Sequence, residues 1–155
     1  MTTTTFTPRL TRTLPTEYRG RLMTAAREVD IPSGTRLFDE GSRADNFWII
    51  RSGTIALDIR VPGRRPVVVE SVGYGELVGW SWLFPPYLWQ LGAQAVGPVR
   101  AYEFDAGAAR RMCAADPAMG EAVALWIGRV LAHRLYATRT RLLDLYAPYG
   151  SGVPG

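Results

Sequence analysis

The chain has 155 residues, 47% of them apolar and 21% charged, which is enough for one domain with a substantial core and leaves little room for a second. Its net charge is +4, and all 18 cationic residues are arginines scattered along the chain, so charge alone gives no footprint for nucleic acid. Cys113 is the one cysteine, which excludes an intramolecular disulfide and makes a reducing, cytoplasmic compartment the expectation.

Residues 1–13, MTTTTFTPRLTRT, contain no continuous apolar stretch and read as a flexible polar arm rather than a secretory signal. Pro15-Thr16-Glu17 then has the form of a helix start, and Tyr18, Leu22 and Ala25-Ala26 fall at helical spacing, predicting a short helix to about Ala26. Beyond it the texture changes. Turn residues at Pro32-Ser33-Gly34, Glu40-Gly41-Ser42, Ser52-Gly53, Pro62-Gly63, Gly73-Tyr74-Gly75 and Gly97-Pro98 separate short apolar or alternating runs. The runs are 35–38, 47–50, 55–61, 67–72, 93–96 and 99–104. This rhythm predicts a mainly β fold, a sandwich or barrel, with flanking helices. Pro62-Gly63 suits the centre of a type II turn joining two of the strands.

Between residues 77 and 99 no side chain is charged. Pro85, Pro86 and Pro98 with Gly79, Gly92 and Gly97 interrupt that run, so it is not read as a membrane helix. From Asp105 the chain becomes helical. Asp105 can cap a helix over 106–115, and Asp116-Pro117 supplies an N-cap and a first-turn proline for a long helix. That helix is predicted to run to Ala147-Pro148, roughly 45 Å at 1.5 Å per residue. Leu131, Leu135, Thr138, Leu142 and Leu145 follow 4-3-4-3 spacing, the stripe of a two-helix seam and thus the candidate homodimer interface. Val123, Trp126 and Val130 form a second apolar line. Residues 148–155 read as a flexible Gly/Pro-rich tail, leaving 14–147 as the domain.

Catalytic signals are absent. The one histidine, His133, lies on the long helix, so the clustered histidines and carboxylate of a metal-dependent enzyme are missing. Cys113 has Met112 and Ala114 as neighbours and no histidine nearby, the setting of an inert thiol rather than a nucleophile. Gly73-Tyr74-Gly75 lacks the third glycine and the helix of a dinucleotide loop. The chain is read as a non-enzyme without a catalytic residue, metal or cofactor.

Two segments carry a family resemblance: IPSGTRLFDEGSRADNFWIIRSGTIAL over 31–57, and Gly75-Glu76-Leu77 opening the stretch GELVGWSWLFPPYLWQLGAQAV. Together with the element order, they make the chain resemble the cyclic nucleotide-binding domain of catabolite-activator-type regulators and kinase regulatory subunits. The likeness covers about 14–146. It implies a double-stranded β-helix, or jelly roll, with a long C-terminal helix. It also implies a ligand cassette at Gly75, Glu76, Leu77, Val78, Trp89, Gln90 and Ala93, in which Glu76 accepts a ribose hydroxyl. The family's phosphate-pairing arginine has no counterpart: Trp89-Gln90 stands where Arg-Ser or Arg-Thr is expected, and no cation occurs between Arg65 and Arg100. Loss of such a charge-assisted bond removes roughly 1.5–3 kcal/mol. The aromatics Trp80, Trp82, Phe84, Tyr87 and Trp89 either stack on a ligand or plug the pocket themselves.

Nine residues follow Tyr146, too few for the helix-turn-helix of DNA-binding relatives; Arg129, Arg134, Arg139 and Arg141 read as a solvated helix face. The expectation is therefore a stand-alone regulatory domain with a degenerate cassette. It would sense a ligand, with cAMP and cGMP as the candidates, and signal through its C-terminal helix to a partner protein. The alternative is a ligand-free interaction subunit whose pocket is filled by aromatic side chains.

Overall fold

The computed structural model describes residues 14–150, without the side chains of Arg141 and of residues 145–150. The N-terminal arm over 1–13 and the end of the tail over 151–155 lie outside the described residues.

Helix α1 spans Thr16–Met23 and stops short of the predicted end. The N–H groups of Thr24 and Ala25 turn back to the carbonyls of Arg21 and Leu22, at 3.1 and 3.0 Å. Ala26–Ile31 is instead strand β1. Its charged residues obscured it in the sequence. β1 is an edge strand, where outward charges are tolerated and useful, and Arg27 lies opposite Glu103 in the ladder with an ion pair at 2.7 Å.

Seven further strands follow: β2 Arg36–Phe38, β3 Asn46–Ser52, β4 Ile55–Ile59, β5 Val67–Val72, β6 Leu77–Val78, β7 Gly92–Ala95 and β8 Val99–Asp105. They form two four-stranded antiparallel sheets, ordered β1-β8-β3-β6 and β2-β7-β4-β5. β4 and β5 pair as expected. Gly63 has φ +76°, and Arg64 N–H donates to the Val61 carbonyl at 3.0 Å, which closes the Pro62-Gly63 turn. The core joins both sheets through Ile50, Ile55, Leu57, Val72, Ala95 and Val99, none more than 2% exposed.

A second part of the core holds the helices on the roll. Phe47 stacks between Trp82, at 4.1 Å, and Phe104, at 4.6 Å. Helix α2, Ala106–Ala115, begins where predicted because the Asp105 carboxylate accepts the Ala108 N–H at 3.1 Å. Helix α3, Pro117–Gly150, is capped by Asp116, which accepts from Ala118 and Met119 at 3.1 and 3.3 Å. Its first half buries Met119, Val123, Trp126 and Ile127 completely, each such side chain contributing about 1.5–3 kcal/mol of transfer free energy. Its second half leaves Leu135, Tyr136, Leu142 and Leu143 exposed. The helix passes Pro148 and ends at Gly150, three residues beyond Ala147 of the predicted stop.

Candidate functional site

The turn that opens the cassette is tied to the roll by its own backbone. Gly75 N–H donates to the Ile50 carbonyl at 2.8 Å, Ile50 N–H to the Glu76 carbonyl at 3.1 Å, and Glu76 N–H to the Gly73 carbonyl at 3.0 Å. The Glu76 carboxylate accepts the Gly73 N–H at 2.9 Å. One oxygen of the carboxylate expected to take a ribose hydroxyl thus stabilises its own turn. Leu77 and Val78 are buried in β6 opposite Ile49 and Trp48. The chain then passes Gly79, at φ +97°, into a single 3-10 turn over Ser81–Leu83.

Trp89 occupies the place where the arginine was expected, and it points inward. It is 4% exposed, and its ring stacks on Phe38 at 3.8 Å with planes 12° apart. Trp48 lies 6.4 Å further on. Gly79 makes room for the indole: a Cβ there would lie 2.5 Å from Trp89 Cη2. The backbone around Trp89 is fixed as well, its N–H donating to Ser42 and its carbonyl accepting from Gly41, both at 2.9 Å. Toward Gly79 a cavity of about 20 Å³ remains, bounded by Phe38, Leu57, Trp80, Ser81, Gln90 and Arg134, room for one water at most; a wider cleft of about 420 Å³ is lined by Trp89 with Phe38, Trp48, Arg36 and Arg43.

The other cassette residues separate. Ala93 is fully buried in β7. Gln90 is exposed and donates to the nearby Leu88 carbonyl at 3.2 Å. Trp82 is fully buried, stacked on Phe47. Phe84 meets Trp80 edge-on at 6.1 Å, and the Arg110 guanidinium covers the Tyr87 ring at 4.5 Å.

Arg134 overturns its reading as part of a solvated face. It is 9% exposed, its guanidinium donates to the Leu77 carbonyl, and its Nε stands 3.8 Å from the Glu70 carboxylate. Burial lowers the Arg134 pKa from its usual value, with Glu70 and Glu76 pulling it back up. Burial likewise raises that of Glu70, against the pull of Arg134. Both shifts report the same dry environment, and the guanidinium keeps its charge. The signal was available in the sequence: Val123, Ile127, Val130 and Arg134 continue one 4-3-4 stripe, and the first three are buried.

Two side chains of the cassette are already engaged with the chain itself. The indole is stacked on Phe38, and the cation lining the smaller cavity, Arg134, is committed to Leu77 and Glu70. Along the candidate seam, Leu131 packs partly against the core, while Leu135, Thr138 and Leu142 are exposed; the Leu145 side chain lies outside the described residues. Cys113 is half-buried, and burial pushes its thiol pKa up. His133 is half-buried on α3. Among the described residues no His/Cys/Asp/Glu group could hold a metal, and no helix is long and apolar enough to cross a membrane.

Residues 28–116 match the family model described as cyclic nucleotide-binding domain. A CRP-like cAMP-activated global transcriptional regulator of Mycobacterium tuberculosis is 33% identical over 127 residues, which are 82% of this chain and 54% of that protein. The chain therefore spans about half the length of the curated relatives it matches. Among solved structures, a Geobacter metallireducens protein assigned to cyclic nucleotide binding superposes with TM-score 0.73 at 27% identity, over 82% of this chain and 92% of that one. The N-terminal domain of a Streptomyces coelicolor transcriptional regulator gives TM-score 0.65 at 25% identity, over 81% and 89%.

Proposed function

The chain belongs to the cyclic nucleotide-binding domain family, and from that premise we propose that it is a non-catalytic regulatory domain whose cassette is closed by its own Trp89. Its output is α3, which pairs with a second copy or with a partner protein along its exposed far half. The observation carrying this reading is the Trp89 indole stacked on Phe38 in the position of the missing arginine. Without room or a free cation, cAMP and cGMP are poor ligands for the wild-type chain. The closed cassette then acts as a fixed platform for the helix.

A second reading is favoured by Arg134. Because α3 reaches the cassette through the Leu77 carbonyl, a ligand able to displace Trp89 would also disturb the helix contact. Such a ligand shifts the helix only if it binds the two arrangements with different affinity.

Thermal unfolding with millimolar cAMP and cGMP separates the two. The wild-type chain is expected to show no shift, whereas a ligand at a hundred times its dissociation constant adds about 2.7 kcal/mol. A shift of that size in the wild-type protein would sink the closed-cassette reading. The Trp89→Arg variant, which removes the indole and supplies the cation, is expected to gain a cAMP-dependent shift.

A further inference from the structure

A groove of about 610 Å³ lies between α1, β3, β8 and the Tyr74-Gly75 turn, and shares with the cassette only Gly75. Its apolar part includes Met23, Ile49 and the Tyr102 ring, and its charged lining is Arg19, Arg51 and Arg100. No acidic side chain lines it among the described residues. The carboxylates that meet two of these arginines come from β1: Arg51 pairs with Glu28, and Arg100 with Asp30 at 3.3 Å. Glu28 is 65% and Asp30 85% exposed at the side chain. Ion pairs so open to water contribute about 0–1 kcal/mol, so an incoming carboxylate can exchange with them at little cost. Arg51 is held in place by the Tyr102 ring, 5.2 Å below its guanidinium, while Arg19 bonds the Thr16 hydroxyl at 3.2 Å.

From this arrangement we propose that the groove docks an acidic peptide segment of a partner protein, one that alternates carboxylates with aliphatic or aromatic anchors. The anchors take the Met23, Ile49 and Tyr102 surface, and the carboxylates meet the arginines. Charge complementarity selects this occupant over the chain's own residues 1–13, which contain Arg9 and Arg12 but no Asp or Glu. It also selects a peptide over a purely electrostatic partner, because an apolar floor is wasted on a phosphate backbone. The proposal is independent of the cassette: it stands whether or not Trp89 yields to a ligand.

Fluorescence anisotropy of a labelled peptide alternating Asp with Leu and Phe tests it. Two companions are needed, one with Asn for every Asp and one with Ser for every Leu and Phe. The full-length chain is expected to bind the first peptide at low salt, more weakly as salt screens the arginines, and each companion about tenfold less tightly or worse. Gly20 gives a blocking variant. It lines the groove on α1, and a Cβ there meets no atom within 4 Å, so Gly20→Trp fills the groove without disturbing the sheet. Gly20→Trp and the pair Arg51→Gln with Arg100→Gln are both expected to lose the acidic peptide while keeping the wild-type melting profile. Equal binding of the Asn companion, undiminished binding to Gly20→Trp, or tighter binding of a poly-dT oligonucleotide would each overturn the proposal.

Discussion

The cassette and the α1 groove divide the work of a binding domain in an unexpected way. The cassette has the family's turn, Gly75-Glu76-Leu77, but is left with about 20 Å³ toward Gly79. The groove borders the same turn at Gly75 and offers about 610 Å³ lined by three arginines. The difference lies in which side chains are free to meet a guest. In the cassette, Glu76 holds its own turn, Trp89 is packed on Phe38, and Arg134 is spent on Leu77 and Glu70. In the groove, Arg51 and Arg100 are paired with exposed carboxylates that water already competes for. A motif marks where ligands have been held in a family; spare volume and weakly held charge mark where the proposed guest would be held in this chain.

The contrast breaks most visibly at Trp89. Trp89→Ala empties the cassette, and a buried aromatic truncated to alanine costs about 3–5 kcal/mol. Urea denaturation reads that loss, while acidic-peptide binding in the groove is expected to stay at its wild-type level. Gly79→Ala provides a check on the cause. In the wild-type chain it forces a Cβ against the indole and costs about 1–3 kcal/mol as overpacking. In the Trp89→Ala background the steric part of that cost disappears, so the two changes are non-additive. Simple additivity would mean that the indole does not fill the cassette beside Gly79.

Arg134 sharpens the comparison at the next level down. Arg134→Met keeps much of the buried stem but removes the hydrogen bond to Leu77 and the charge beside Glu70. The expected loss is about 1.5–3 kcal/mol, the range for a hydrogen bond made by a charged group. Its pH dependence is more diagnostic. Burial has already raised the folded-state pKa of Glu70 above the usual 4.5, and Arg134 opposes that rise; without Arg134 the pKa rises further. A carboxyl with a raised folded-state pKa gives stability that is fully present below the unfolded pKa and is lost as pH climbs through the folded one. Arg134→Met should therefore lose stability more steeply than wild type between about pH 4.5 and neutrality, and Glu70→Gln in the same background should flatten the profile. Parallel profiles for Arg134→Met and wild type would show that the two groups are not coupled.

What could be read from the sequence was mostly local. The caps at Asp105 and Asp116 and the turn at Pro62-Gly63 each depend on a few adjacent residues, and each formed where expected. Strand β1 was not legible, because at a sheet edge its Arg27 and Glu28 satisfy themselves with solvent and cross-strand partners and leave little alternation. β6, only Leu77–Val78, is too short to carry a period. In the cassette, the missing arginine was plain at Trp89, but whether an indole stacks on a guest or replaces one depends on Phe38, far away in the chain, and on how the loop folds Gly79 against the ring. The groove was invisible for the same reason: Arg19, Arg51 and Arg100 come from three elements and meet only once the sheet has formed.

The smallest expected change in stability concerns the far half of α3. Leu135 is 72% exposed and Leu142 54%, so changing both to Asp removes almost no buried surface from the single chain, and surface changes of this kind stay within about 0.5 kcal/mol. The same change has a large effect on assembly if these leucines form the seam. They stand one heptad apart on a face that α3 does not turn toward its own roll, whereas Leu131, one turn earlier, packs partly against the core. Two such faces can cover one another as a coiled-coil pair, and carboxylates at both positions would put like charges at the contact. Light scattering at tens of micromolar, on the order of a modest dimer's dissociation constant, is expected to give a dimer for the wild-type chain and a monomer for the double variant. A monomeric wild type would move the partner of this face from a second copy to another protein, leaving the groove and the closed cassette as they stand.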